Sequence, residues 1–247
     1  MQDGKVAVVT GGSSGIGRAT AIGLSRAGYR VAICGRRQAE LDSAVAEGGL
    51  TLAAPCDVSD AEQVAGFFET VRALLGRVDL VFNNAGRFAP STNFGDLPVE
   101  TWRAMVDVNL NGAFYVAREA YRLMRAQQPQ GGRIINNGSI SAYAPRPGAA
   151  SYTATKHAIT GLTKAISLDG RAFNIACGQI DVGNALTDMT KDMSHGMPQA
   201  DGSMRLEPTF NVQHVVDAVL YMASLPLEAN VQFMTVMATT MPYIGRG

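Results

Sequence analysis

A phenol and an ammonium group four residues apart stand out among the side chains that could do chemistry. Tyr152 and Lys156 would lie on one face of a helix, because residues four apart are neighbours there. A free phenol, with a pKa of about 10, is a poor acid or base at neutral pH. An ammonium ion at ~4 Å would lower that pKa by about three units. The pair therefore predicts a phenol tuned for general acid–base catalysis.

A serine precedes Tyr152 by thirteen residues. Ser139 follows a short apolar run, and its hydroxyl could hydrogen-bond a reacting oxygen and hold it beside the phenol. Each signal alone is weak, since Tyr and Lys are ordinary neighbours on helices and a serine after a strand is most often a turn residue.

A glycine-rich loop, TGGSSGIG at residues 10–17, follows the first apolar run and opens an amphipathic pattern. Glycines let the backbone turn tightly, and the start of a helix offers free N–H groups and a positive dipole end to a pyrophosphate. An ordinary glycine-rich turn is the alternative, but the position between a strand and a helix favours a nucleotide loop. The predicted contacts there are Gly11, Ser13, Ser14, Gly15, Ile16 and Gly17.

Two arginines, Arg36 and Arg37, stand where the second strand should end, with no acid beside them. An acid there would bind a ribose 2′-hydroxyl, whereas guanidinium groups favour a 2′-phosphate. This predicts NADP(H) as cofactor, with Arg36 the stronger candidate and NAD(H) the alternative. Asp57 and Val58 follow the third strand and would pass the adenine edge, although a helix N-cap is the commoner role for a loop Asp.

Short apolar runs alternate with longer amphipathic patterns, which favours strands and helices in turn. The near-continuous apolar runs suit a parallel sheet buried on both faces. The predicted fold is α/β, a single doubly wound Rossmann-type domain over residues 1–247 with about seven parallel strands and helices on both faces. Ligands then bind beyond the carboxyl ends of the strands. The predicted strands are 6–9, 31–34, 50–54, 80–82, 134–135, 172–176 and 231–236, and the clearest helices are 102–124 and 212–222.

The composition excludes several classes of protein. Of the 247 residues 47% are apolar and 17% charged, and the formal net charge is zero. A disordered chain needs more net charge and fewer apolar residues, and a nucleic-acid-binding protein needs a basic surface. No window reaches the ~18 apolar residues of a membrane span. Residues 1–5 lead directly into an apolar run, so we expect no signal peptide.

Cysteines and histidines give no sign of disulfides or metal sites. The thiols are far apart without a CxxC pair, which predicts a reducing, cytoplasmic location. The histidines lack metal-ligand spacing, so no metal is expected. These residues are Cys34, Cys56 and Cys177, and His157, His195 and His214.

Four motifs in this order resemble the short-chain dehydrogenase/reductase family across essentially the whole chain. They are the glycine loop, the NNAG segment at 83–86, Ser139, and Tyr152-x-x-x-Lys156. The resemblance implies hydride transfer between nicotinamide C4 and a carbonyl or alcohol carbon. Tyr152 would exchange the proton, Ser139 would orient the substrate, and Lys156 would bind the nicotinamide ribose.

The resemblance implies further roles. Asn109 would hold a water in a proton relay through Lys156, Asp57 would touch adenine, and Asn83 would support the sheet and the ribose region. Homo-oligomers, tetramers or dimers, are typical of the family. The remaining implied cofactor contacts are Asn83, Ala85, Gly86, Tyr152, Lys156, Gly178 and Ile180.

The sequence departs from the family pattern after the sixth strand. Cys177 stands where members usually have Pro before the glycine, and Val182 stands where they have Thr. The lost hydroxyl could be replaced by Asn184 or Thr187. Cys177 itself is interpreted as a buried, small apolar residue rather than a reactive thiol.

A methionine-rich stretch, 185–210, is expected to cover the substrate. Met189, Met193, Met197 and Met204 suggest a mobile lid over an apolar substrate, although a helix-packing stripe is the alternative. Loop residues expected in the same cleft are Phe88, Phe94, Tyr143 and Arg146. Arg146 and Arg205 could bind an anionic substrate, but solvated arginines are the commoner case.

These patterns together predict an NADP(H)-dependent oxidoreductase acting on a ketone, an aldehyde or a secondary alcohol. The alternative is a dinucleotide-binding regulatory or scaffolding protein with negligible turnover. A cofactor-assisted isomerase or dehydratase is a third hypothesis. Neither a nucleic acid nor a membrane is an expected partner.

Overall fold

A seven-stranded parallel sheet forms the centre of the computed structural model, which describes residues 4–187 and 196–244. The strand order is β3-β2-β1-β4-β5-β6-β7, and every neighbouring pair is parallel. This confirms the predicted doubly wound architecture. The strands are β1 Val6–Thr10, β2 Arg30–Gly35, β3 Leu52–Pro55, β4 Leu80–Asn83, β5 Gly132–Asn137, β6 Ile175–Val182 and β7 Phe233–Val236.

Helices cover both faces of the sheet and bury it. Successive side chains of a strand point to opposite faces; accordingly Val8 and Val9 lie in different apolar clusters. Because each cluster removes apolar side chains from water, the sheet is held from both sides. The helices are α1 Gly15–Arg26, α2 Gln38–Gly48, α3 Ala61–Leu75, α4 Val99–Val106, α5 Ala113–Ala126, α6 Ala150–Asp169 and α7 Gln213–Ser224.

The helix predicted at 102–124 contains a π-helical turn. Asp107–Gly112 connects α4 to α5 with helical backbone throughout. The apolar periodicity therefore indicated a continuous helix, but it did not reveal the extra residue that a π turn accommodates.

The strand predicted at 172–176 is wrong at its start and too short. Gly170–Phe173 is a 3-10 turn, and Asn174 follows in the left-handed region at φ 56°, which Asn tolerates better than most residues. The strand then runs from Ile175 to Val182. This moves the end of β6 beyond the family-type glycine, with consequences for the site.

The described parts of the stretch 185–210, residues 185–187 and 196–210, contain two pairs of short strands. Ala185–Leu186 pairs with Phe210–Asn211 in parallel, and Met197–Pro198 pairs with Met204–Arg205 in antiparallel. The methionines at 189 and 193 lie outside the described residues. Within the described part of the chain, no helix combines the length and hydrophobicity needed to cross a bilayer.

Candidate functional site

A cleft of about 710 Å³ lies at the carboxyl edge of the sheet. Loops that follow β1 to β6 form its walls, as the fold predicts. Most of the predicted site residues share this cleft. Those that line it are Gly11, Ser13, Ser14, Gly15, Ile16, Gly17, Arg36, Arg37, Asp57, Val58, Ala85, Gly86, Ser139, Tyr152 and Lys156.

The glycine loop forms a backbone cradle that fits a pyrophosphate. A Cβ on Gly17 would lie 2.2 Å from the carbonyl oxygen of Gly11, so only glycine allows this approach. Gly15 has φ 53°, in the left-handed region where glycine carries no steric penalty. The side chain of Ser14 makes no capping hydrogen bond at the start of α1. N–H groups at this positive helix end therefore suit an anion.

The predicted adenosine end carries exposed positive charge. Arg37 forms an ion pair with Glu40 at 3.3 Å, while Arg36 has no ion-pair partner among the described residues and is exposed. Asp57 accepts hydrogen bonds from the backbone N–H and the hydroxyl of Ser59, at 3.0 and 2.7 Å. The alternative role of Asp57 as a helix N-cap is not observed, since Asp60 caps α3.

Three of the four predicted catalytic side chains converge on one wall. Tyr152 and Lys156 lie in the first two turns of α6, and the Lys156 ammonium is 5.6 Å from the centre of the Tyr152 ring. Lys156 Nζ donates to the carbonyl oxygen of Asn137 at 2.7 Å. The Ser139 hydroxyl lies close enough to the Tyr152 phenol to lower its pKa, and it accepts from the Ser141 N–H at 3.1 Å.

Burial is the largest influence on the pKa values of Tyr152 and Lys156. It raises the pKa of Tyr152 to about 12, although the hydrogen bond from Ser139 and the charge of Arg146 act in the opposite direction. The ring of Phe88 lies 4.3 Å from that of Tyr152 and shields it. Burial also lowers the pKa of Lys156 to about 8. The predicted lowering of the Tyr152 pKa by Lys156 is therefore wrong for this structure, because burial outweighs the opposing influences of Ser139 and Arg146.

The fourth predicted catalytic residue, Asn109, lies on the π turn and is buried. Its Oδ1 accepts from the Arg87 N–H at 2.8 Å, and its Nδ2 donates to the Arg87 carbonyl at 3.0 Å. The side chain thus clamps the loop after β4 and does not line the cleft. The π turn determines where this amide lies.

Three predicted cofactor residues lie outside the lining of the cleft. Asn83 donates to the Ala113 carbonyl at 2.8 Å and to Asn136 Oδ1 at 3.0 Å. Gly178 and Ile180 are buried inside β6, because that strand continues to residue 182. The chain that follows lines the cleft instead, with Val182, Gly183, Asn184, Ala185 and Thr187.

The two candidates for replacing the missing threonine hydroxyl have different surroundings. Asn184 accepts from Arg146 at 3.0 Å and donates to Glu207 at 2.9 Å. Its amide therefore links these two side chains at the wall of the cleft. Thr187 lies beside the glycine loop, with its Cβ 3.6 Å from the position of a Cβ on Gly15. Thr187 is therefore the better placed of the two for a bound phosphate group.

Both arginines considered for an anionic substrate are paired with carboxylates. Arg146 forms an ion pair with the buried Glu207, and Arg205 pairs with Asp201 at 2.8 Å. Arg146 and Phe88 line the cleft as predicted. Phe94, which is 79% exposed, and Tyr143, whose hydroxyl bonds Asp181, lie outside it. Cys177 is buried, and burial raises its pKa to about 12, in agreement with its interpretation as an unreactive core residue.

One buried acid was missed by the sequence reasoning. Asp181 is fully buried near the carboxyl end of β6, and its carboxylate bonds both the Ser139 backbone and the Tyr143 hydroxyl. The available signal was an acid inside a largely apolar run, since an Asp is rarely buried unless it is paired.

Comparisons with known proteins agree with this geometry. A family model described as short chain dehydrogenase matches residues 5–198. The 3beta-hydroxysteroid dehydrogenase of Mediterraneibacter gnavus is 38% identical over 196 residues, covering 78% of this chain and 70% of that protein.

Two solved structures extend the likeness to the whole fold. A variant of the actinorhodin polyketide ketoreductase with NADPH has a TM-score of 0.86 and 27% identity, covering 96% of this chain and 97% of that one. An NAD+-bound xylitol dehydrogenase has a TM-score of 0.86 and 25% identity, covering 95% and 98%.

Proposed function

Because the chain belongs to the short-chain dehydrogenase family, we propose that it is an oxidoreductase working with a nicotinamide dinucleotide on a carbonyl or secondary alcohol. The observation that carries this proposal is the convergence of Ser139, Tyr152 and Lys156 on the cleft that also holds the glycine loop. When bound, the nicotinamide supplies or accepts the hydride. A protein that only binds nucleotide has no need of an acid–base group beside that loop.

The side chains at the site have separate roles in the proposed reaction. Tyr152 exchanges a proton with the substrate oxygen, and Ser139 holds that oxygen by a hydrogen bond. A pKa of about 12 keeps the phenol protonated at neutral pH, which suits donation to a carbonyl oxygen. Lys156, fixed by its bond to the Asn137 carbonyl, holds its ammonium near the Tyr152 ring and would bind the ribose of a nicotinamide cofactor. Asn109 holds the loop after β4 against the site.

We infer a preference for NADP(H) over NAD(H). The support is the pair Arg36 and Arg37 at the end of β2, where a guanidinium favours a 2′-phosphate by charge and by bidentate hydrogen bonding. Solved relatives of similar likeness carry either cofactor, so the argument rests on these side chains.

The proposed substrate is largely apolar. Phe88, Pro147 and Met197 line the cleft, and Arg146, which could have bound an anionic substrate, is paired with Glu207. The relative from Mediterraneibacter gnavus is named for a hydroxysteroid, which is consistent with an apolar ring ketone. The stretch 185–210 stays a proposed lid over such a substrate, and its residues 188–195 lie outside the described part of the chain.

We further propose a homo-oligomer, a dimer or a tetramer, in the cytoplasm. A groove between α5 and α6 has apolar walls that a second copy could cover. The three cysteines are free and buried, which fits a reducing compartment.

The test of this function is turnover on a panel of apolar ketones, followed by NADPH absorbance. Tyr152→Phe should lower kcat by a factor of about 10² to 10⁴, the usual contribution of general acid catalysis, while NADPH binding by fluorescence stays within about twofold. Tyr221→Phe, which changes an exposed phenol, is the matched control and should keep full activity. Tight NADPH binding without turnover on any substrate would instead favour the regulatory alternative.

A further inference from the structure

A buried carboxylate lies behind the proposed acid–base group. Asp181 Oδ1 accepts from the Ser139 N–H at 2.9 Å and from Gln179 Nε2 at 2.7 Å, and its Oδ2 accepts from the Tyr143 hydroxyl at 3.1 Å. A backbone N–H and an amide N–H cannot accept, so this arrangement favours the ionised carboxylate. Burial raises the pKa of Asp181, while the hydrogen bonds from Gln179, Tyr143 and Ser139 and the charge of Lys156 act in the opposite direction and favour the ionised form.

A chain of side-chain hydrogen bonds orients this carboxylate. Asn83 donates to Asn136, which donates to Thr163 at 2.9 Å. The Thr163 hydroxyl donates to Gln179 Oε1 at 3.1 Å, so the opposite end of that amide, Nε2, points at Asp181. The network thus joins β4, β5, α6 and β6 and ends on the acid.

The close approach of Asp181 to the serine loop depends on a glycine. A Cβ on Gly138 would lie 2.1 Å from Asp181 Oδ1. Because Gly138 leaves this space open, the carboxylate reaches the Ser139 N–H directly. The backbone that carries the Ser139 hydroxyl toward Tyr152 is therefore fixed from behind.

The charge of Asp181 also acts on the groups around it. From α6, Lys156 and Tyr152 face it, from the loop after β5 Tyr143, and from the C-terminal segment Tyr243. The carboxylate contributes to a higher pKa at each of these four groups. In a buried site the effect is little screened by water.

We propose that Asp181 is a positioning residue for the reaction, which pins the Ser139 loop by hydrogen bonding and balances the Lys156 ammonium with a buried negative charge. This inference rests on the proposed function and deepens it. Asp181 touches neither substrate nor cofactor in this assignment. Its influence passes through Ser139, Lys156 and Tyr152.

The decisive variant is Asp181→Asn, which keeps an acceptor for the Ser139 N–H but removes the charge. Oxidation of a secondary alcohol with NADP+ requires the phenolate, so kcat/KM rises with pH. Losing the negative charge lowers the pKa of Tyr152, and the midpoint of that rise should move down by about one pH unit. A midpoint that stays in place, in a variant that folds as judged by circular dichroism, overturns the proposal.

Tyr143→Phe is the matched control, because it removes one hydrogen bond to the carboxylate but leaves its charge. Its midpoint should stay where the wild-type midpoint lies, and a shift equal to that of Asp181→Asn would contradict the charge effect. Should Asp181→Asn not fold, Gln179→Met keeps the acid but removes its orienting amide. We expect kcat to fall about tenfold with an unchanged KM for NADP+; an unchanged kcat would overturn the proposal.

Turnover by the wild-type protein distinguishes a failure of the Asp181 proposal from a failure of the proposed function. A wild-type protein that turns over ketones, together with an inactive Tyr152→Phe, supports the proposed function whatever the Asp181 variant does. In that case an unmoved pH midpoint removes only the role of Asp181. A wild type without turnover removes both.

Discussion

Arg36 lies exposed at the end of β2, next to the cradle formed by the glycine loop. Its neighbour Arg37 already pairs with Glu40, so the two guanidinium groups differ in what they can offer a ligand. A charge-assisted hydrogen bond is worth about 1.5 to 3 kcal/mol. At the residue scale, the proposed preference for NADP(H) therefore depends mainly on one side chain.

Arg36→Ala should raise the KM for NADPH by about ten- to a hundredfold, the equivalent of that energy, because the 2′-phosphate loses its strongest partner. The KM for NADH, which has no 2′-phosphate, should change by less than about twofold. Steady-state kinetics with both cofactors measure the two values. Arg37→Ala is the comparison variant and should have a smaller effect; equal losses for NADPH and NADH in Arg36→Ala would contradict the assignment.

For Tyr152 the sequence predicted the position of the side chain but not its pKa. Its place on one helix face with Lys156 followed from the spacing and is confirmed. Its pKa did not follow, because the Phe88 ring that covers it comes from a loop 64 positions earlier. Burial depends on contacts that are distant along the chain, and a local motif does not contain them.

The glycine loop and the start of α1 act together as one element. The loop depends on a contact between Gly17 and the Gly11 carbonyl that leaves no room for a Cβ. Thr10 ties this loop to the segment after β4, since its hydroxyl accepts from the N–H groups of Asn84 and Ala85 at 3.0 Å each. A change of backbone in the loop would therefore also disturb the neighbouring wall of the cleft.

Gly17→Ala should weaken NADPH binding at least about tenfold, since backbone atoms at 2.2 Å cannot give way without moving the cradle. Fluorescence titration measures the affinity. Gly66→Ala is the matched control on α3, where a Cβ meets nothing within 4 Å. That control should bind NADPH normally and gain up to about 1 kcal/mol of stability from better helix propensity. Normal NADPH affinity in Gly17→Ala would refute the role of the loop.

The sequence predicted which segments form strands and helices better than it predicted the residues at which they begin and end. The apolar runs identified all seven strands, yet β6 begins and ends later than expected because Asn174 turns the chain before it. This displacement puts Gly178 inside the sheet and transfers the cleft lining to residues such as Thr187. The π turn that holds Asn109 likewise depends on packing between α4, α5 and the loop after β4, which periodicity does not encode.

At the scale of the whole molecule, the sheet is covered on both faces, and among the described residues an outer groove stays open. It has a volume of about 490 Å³ and lies between α5 and α6. Phe114 is 46% exposed there, beside Leu162 and Ile166. Apolar grooves of this kind are typical of surfaces that another protein covers, and the proposed occupant is a second copy of the chain.

Phe114→Glu should shift the protein to a lower mass in light scattering at micromolar concentration, because a carboxylate at an apolar interface loses its hydration. The wild-type protein should run as a dimer or tetramer. Leu74→Glu changes another exposed apolar residue, on α3 and away from the groove, and should leave the mass unchanged. A monomeric wild type would contradict the proposal directly.

The sequence by itself determined the strand–helix alternation, the nucleotide loop and the spacing that joins Ser139, Tyr152 and Lys156, because each depends on residues that are near one another in the chain. The tertiary structure decided the rest. It half-buried Tyr152 against Phe88, ended β6 at Val182 and brought Asp181 behind the Ser139 loop. These outcomes depend on desolvation and on hydrogen bonds between strands far apart in sequence, which exist only once the sheet has formed.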